Sequence, residues 1–189
     1  MRAPSLFLVI LCVAEIKSEV VEYYWRDYTG LIPEDAMPGG KDINGNDTYI
    51  GQVYIHEHGL YVGQIFHGKT EVEVPCYGVK KTDYLIKILC TPEIFRFSWL
   101  RTNAETFHVD TINKHAVVAG YDHVNNKGVL NLGRVMHQGI LKIGNVAAYD
   151  PDTVRLYFPH NDVEKSSKVY EVLMYDKDPL IKPRAKNSV

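Results

Sequence analysis

The residues best equipped for chemistry lie between Asp42 and Asp47. The run Asp42-Ile43-Asn44-Gly45-Asn46-Asp47 gathers carboxylates and amides in one short stretch. It opens like an EF-hand calcium loop, D-x-N-x-N. Its sixth position is then Asp47, where such a loop needs Gly, and its twelfth is Val53, where it needs Glu. A turn between strands is the expected structure. Asn46-Asp47-Thr48 is also a glycosylation sequon, and a glycan on Asn46 would crowd Asp42. Next along the chain, His56-Glu57-His58 sets two imidazoles on one face of a strand, with His67 nearby. No complete zinc ligand set accompanies them, and the HExxH spacing of a metalloprotease is missing, so no metal is expected. No GxSxG elbow occurs, and no cysteine has a catalytic context. Gly39-Gly40 runs into Lys41-Asp42-Ile43-Asn44-Gly45, a turn and not the helix start that a dinucleotide site requires. The chain is therefore read as a non-enzyme without a cofactor.

The elements that must position these residues are strands. Glu71-Val72-Glu73-Val74 alternates strictly, while Tyr84-Leu85-Ile86-Lys87-Ile88-Leu89 has the apolar content of a strand covered on both faces. Val169 to Tyr175 repeats that character. Thr48 to His56 and Val129 to His137 each hold an internal Gly, Gly51 and Gly133, as at a bulge or a close backbone approach. No long window has helical periodicity with caps. The composition agrees: 13 Tyr and 14 Gly suit short strands and tight turns. A formal net charge of −2 offers nothing to a phosphate backbone, so nucleic acid is not an expected partner.

Arg2 followed by the apolar run Leu6 to Ala14 resembles a secretory signal, too short to span a ~30 Å hydrocarbon layer. Cleavage after Ala14 or after Ser18 is expected, and no other stretch could span a membrane. Secretion leaves Cys76 and Cys90, which in an oxidising compartment are a disulfide candidate; two free buried thiols are the alternative.

The strands fall into two matching series. Gly39-Gly40-Lys41-Asp42 answers Ala119-Gly120-Tyr121-Asp122, and Tyr49-Ile50-Gly51 answers Asn131-Leu132-Gly133. Gly59 to Ile65 answers Gly139 to Val146, Tyr84 to Leu89 answers Tyr170 to Tyr175, and Trp25 and Trp99 each open a series. The landmarks keep an offset of about 80 residues, which marks a repeat. The expected organisation is a signal over residues 1–18, repeats over 19–92 and 93–176, and a flexible tail over 177–189.

Trp25, Ile32-Pro33-Glu34-Asp35-Ala36, Gly39-Gly40-Lys41-Asp42, Tyr49-Ile50-Gly51, Gly59, Gly63 and Tyr170-Glu171-Val172-Leu173 together resemble the DM-nine repeat family, also found at the N-terminus of natterin-like proteins. The resemblance covers nearly the whole chain after the signal. It implies an all-β fold of two tandem motifs in one globular unit, with strands that exchange between them. It also implies mannose-type carbohydrate binding in innate recognition, by a secreted protein. Under the resemblance, an Asp after the Gly-Gly turn and a Lys after a later Gly contact the sugar. The Asp positions are Asp42 and Asp122; the Lys positions hold Gln64 and Asn145, which keep an amide donor without the charge. Either Asp could instead cap its own turn. Mannose-containing glycans and a second copy of the chain are the expected partners.

Overall fold

The computed structural model describes residues 23–176. The signal segment and the tail lie outside the described residues. Seven strands form a first series: β1 (Tyr24–Asp27), β2 (Pro38–Lys41), β3 (Asp47–Ile55), β4 (Gly59–Ile65), β5 (Val72–Pro75), β6 (Val79–Thr82) and β7 (Lys87–Cys90). The second comprises β8 (Phe97–Asn103), β9 (His115–Ala116), β10 (Val118–Asp122), β11 (Gly128–His137), β12 (Ile140–Ala147), β13 (Arg155–His160), β14 (Val163–Ser167) and β15 (Val169–Tyr175). A single helical turn, α1 (Phe107–Asp110), lies between β8 and β9. The protein is all-β, one globular unit built on a large antiparallel sheet.

The pairings of the first series recur in the second. Trp25 on β1 lies opposite Leu89 on β7, as Trp99 on β8 lies opposite Leu173 on β15. Gly51 on β3 pairs with Ile88, as Gly133 on β11 pairs with Val172. Hairpin β5–β6 matches hairpin β13–β14. Both Gly-Gly-type strands carry a register shift, between Pro38 and Gly40 on β2 and between Val118 and Gly120 on β10.

The two series are joined by exchange of neighbours. β2 pairs with β3 of its own series and, at Lys41–Leu141, with β12 of the other. β10 pairs with β11 and, at Tyr121–Leu60 and Asp122–Gly59, with β4. Together with β3–β4 and β11–β12 these contacts close a ring, β2-β3-β4-β10-β11-β12. Each strand of the ring has a neighbour on both sides, though β4 meets β10 only at Gly59 and Leu60 and β12 meets β2 only at Leu141.

Side-chain alternation fills the ring from both series. Ile50, Val62, Ala119, Leu132 and Ile143 meet in its centre with Leu89 and Leu173. Gly39 belongs there too, since a Cβ on it would sit 2.6 Å from Ile50 and 2.9 Å from Ile143. A second cluster, with Val53, Ile65, Val72 and Ile88, packs outside the ring under β5. A third, with Val146, Leu156, Phe158 and Val172, packs under β13. Strands β7 and β15 run between the central cluster and an outer one, so consecutive residues Ile88, Leu89 and Cys90 are all buried. The apolar run from Tyr84 enters the strand late. Leu85 has φ +50° and lies exposed with Tyr84, and the extended backbone begins at Lys87.

The expected bridge between Cys76 and Cys90 is absent: both are free buried thiols. Cys76 lies beyond β5 in the turn of a hairpin, near Tyr61, whereas Cys90 ends β7 beside Asp35. Burial pushes both thiols up to about 11, so each is held as the neutral, unreactive form.

Candidate functional site

The two Asp turns have different surroundings. Asp42 follows β2 in an exposed loop, and its carboxylate is occupied by that loop. Oδ1 accepts the backbone N–H of Asn44 at 2.9 Å and of Asn46 at 2.8 Å, and Oδ2 accepts Asn46 Nδ2 at 2.9 Å. These donors hold its pKa below the ordinary value, the Asn46 side chain foremost. The loop is an Asx-type turn, not a calcium loop. Asn46 is exposed, with its side chain turned back onto Asp42.

Gln64 does not join Asp42. Its Nε2 donates to Thr48 Oγ1 at 2.5 Å and to the Leu141 carbonyl at 3.1 Å, tying β4 to β12. Asn145 has the mirrored task. Its Oδ1 accepts the Val62 N–H at 2.9 Å and its Nδ2 donates to the Val62 carbonyl at 3.0 Å. β10 pairs with β4 only at Gly59 and Leu60, so beyond it the Asn145 amide satisfies the open edge of β4 as a strand would. Both amides lock the ring closed.

Asp122, by contrast, is 4% exposed and lines a cavity of about 180 Å³ that Asn145 also borders. Its Oδ1 accepts the Val124 N–H at 3.0 Å, so it does cap its turn. Its Oδ2 faces the cavity, accepting Tyr77 Oη at 2.8 Å and Tyr149 Oη at a long 3.4 Å. A carboxylate has about four acceptor positions, three of which are taken here, and the Tyr61 phenol stands beside the same group. Lys127 closes the other side. Its Nζ donates to Tyr77 Oη at 2.8 Å and lies 4.7 Å from the Tyr77 ring centre and 5.8 Å from that of Tyr149. Desolvation, followed by the Asp122 charge, pushes the Tyr149 phenol up to about 12; burial also raises Tyr77, so both stay protonated donors.

The cavity belongs to both repeats. Tyr61 comes from β4 and Tyr77 from the tip of hairpin β5–β6, while Asp122, Lys127 and Tyr149 come from the second series. The tip is a turn with positive φ at Tyr77 (+51°) and Gly78 (+104°), from which the Tyr77 hydroxyl reaches Asp122. The Gly78 N–H donates to Glu164 on β14 at 3.1 Å, fixing the tip across the repeat boundary. Burial raises the Glu164 carboxyl above its ordinary value, partly offset by that hydrogen bond.

Sequence reasoning does not single out Lys127 or the tyrosines. The available signal is local: Lys127 lies in the same turn as Asp122, and Tyr77-Gly78 reads as a hairpin tip. The histidines carry no comparable site. His56 is exposed beside Glu57, and no cluster of three or more metal-ligating side chains occurs among the described residues. No helix of the described residues is long and apolar enough to cross a membrane.

No protein-family model matches the sequence, and no curated protein matches it. Among solved structures, the chain is similar to the crystal structure of the nematode sperm cell motility protein MFP2B. The TM-score is 0.55 at 16% identity, over 85% of this chain and 47% of that one. The chain thus spans about half the length of that protein, and the likeness at this identity is one of fold alone.

Proposed function

We propose that the chain is a secreted, non-enzymatic protein that binds mannose-type glycans through the cavity around Asp122, in innate recognition. The observation that carries this reading is the convergence of a buried carboxylate, an ammonium and tyrosine rings on one small cavity. Sugar hydroxyls suit such a set: carboxylates accept from them, ammonium and phenol donate to them, and ring faces cover their C–H surfaces. The resemblance to DM-nine repeats supports the same ligand class. Lys127 supplies from the turn the cation that Asn145 lacks.

A glycan array probed with the mature protein tests the reading. Mannose-containing oligosaccharides should be retained, and Asp122→Asn should release them while Asp42→Ala does not. No retention of any mannose-containing glycan would overturn it. A second reading, a secreted interaction module with a lost sugar pocket, is favoured by Gln64 and Asn145 being spent on strand edges. It requires that the native chain bind no glycan and that reverting Gln64 and Asn145 to Lys create binding.

A further inference from the structure

A second cavity, of about 440 Å³, stands in the position that repeat symmetry assigns to a partner of the first. The equivalence is set by two glycines. A Cβ on Gly63 would collide with the Glu73 carbonyl, and one on Gly144 would collide with the Tyr157 carbonyl. Gly63 with β5 therefore matches Gly144 with β13. Counting from these points, Asn145, Tyr61, Tyr157 and Pro75 of the first cavity correspond to Gln64, Lys142, Glu73 and Pro159, all of which line the second.

The chemistry at equivalent points is different. Asp122 lines the first cavity, but Asp42 is folded into its own turn and does not line the second. Where the first has the Tyr61 phenol, the second has Lys142. The acids present do not contact this lysine as ion pairs. Glu73 is held by Lys81 at 2.8 Å, and the same ammonium holds Asp162 at 2.6 Å. Lys69 and Glu71 stand exposed at the rim. Lys142 is half-buried and has no carboxylate within 4.0 Å among the described residues. Burial lowers its pKa, against a smaller opposing effect of Glu73. A partly desolvated ammonium without a close ion pair gains more from an incoming anion than an exposed one does.

We propose that the second cavity is a separate binding site for a small anionic ligand, a carboxylate, sulfate or phosphate carried on a sugar, with Lys142 as its counter-ion. The first cavity supplies the fixed anion and takes a neutral polyol; the second supplies the fixed cation and takes an acid. The proposal does not depend on glycan binding at Asp122.

The test is an NMR titration of the ¹⁵N-labelled chain with sodium glucuronate, glucose 6-phosphate and inorganic phosphate in parallel. Saturable shifts are expected at the Gln64 side-chain amide and the Asn161 backbone amide. Lys142→Met should weaken binding about tenfold or more, the loss of one charge-assisted contact. Lys142→Arg should retain it, and Asp122→Asn should leave it unchanged. Glucuronate binding without phosphate binding would assign a carboxylate site, and sugar phosphate binding without free phosphate a site that also reads the sugar. No saturable shift at Gln64 or Asn161 with any of the three would overturn the proposal. So would equal affinity in wild type and a folded Lys142→Met. If Lys142→Met does not fold, Lys142→Gln and the wild-type shift map decide the matter.

Discussion

At the level of single residues, the sequence shows which polar groups close the turns but not which of them keep a free side. Asp42 and Asp122 look alike in sequence, each closing a Gly-containing strand. They differ in the residues just after them. Asn44 and Asn46 return to Asp42, whereas one backbone N–H engages Asp122 and its second oxygen stays in the cavity. Gln64 and Asn145 are legible as amides, but their partners include backbone groups of the opposite repeat, which no local pattern shows. Lys127→Met should therefore weaken glycan binding about tenfold in a calorimetric titration, since it removes a charged donor. Glu164 gives a prediction in pH. Its folded pKa is raised, so the native state binds the proton more tightly than the unfolded chain. Stability contributed by this group is present below the ordinary carboxylate range of about 4.3 and is lost as pH rises through the raised value. Thermal melts should thus find Glu164→Gln more stable than wild type at pH 7, with the difference vanishing below about pH 4. Equal melting at both pH values would contradict the burial argument.

At the level of elements, strands are legible wherever alternation or glycine spacing is local. Val72 and Val74 are buried about a half-buried Glu73, as alternation requires. The run from Tyr84 reads as strand from its first residue because composition does not report the positive φ at Leu85. Gly51 and Gly133 are legible as close approaches, and Gly63 and Gly144 prove tighter still, each beneath a crossing strand. Gly144→Ala should cost about 2–3 kcal/mol or more in denaturant unfolding, because the obstructing atom is a backbone carbonyl that cannot swing aside. Asn145→Ala should cost about 2–3 kcal/mol by leaving both polar groups of Val62 without a partner. An Asn145→Ala variant as stable as wild type would remove the amide from its structural role.

At the level of the whole molecule, the paired series are visible in sequence as an offset, while the way they interlock is not. Ring closure depends on contacts such as Lys41–Leu141 and Asp122–Gly59, which join residues far apart in the chain. Neither series has a complete ring alone, and each would expose a strand edge and half of the central cluster. Residues 19–92 expressed alone should show no dispersed NMR spectrum, and adding residues 93–176 should restore one; cooperative unfolding of 19–92 by itself would contradict the interlock. The same interlock builds the Asp122 cavity, whose Tyr77 and Lys127 come from opposite series. The most direct measurement of the central claim is a calorimetric titration of a mannose-containing oligosaccharide into wild type, Asp122→Asn and Asp42→Asn. Saturable binding that falls at least about tenfold in Asp122→Asn and is unchanged in Asp42→Asn is the predicted result. Binding that survives in Asp122→Asn, or is missing from wild type, would contradict it.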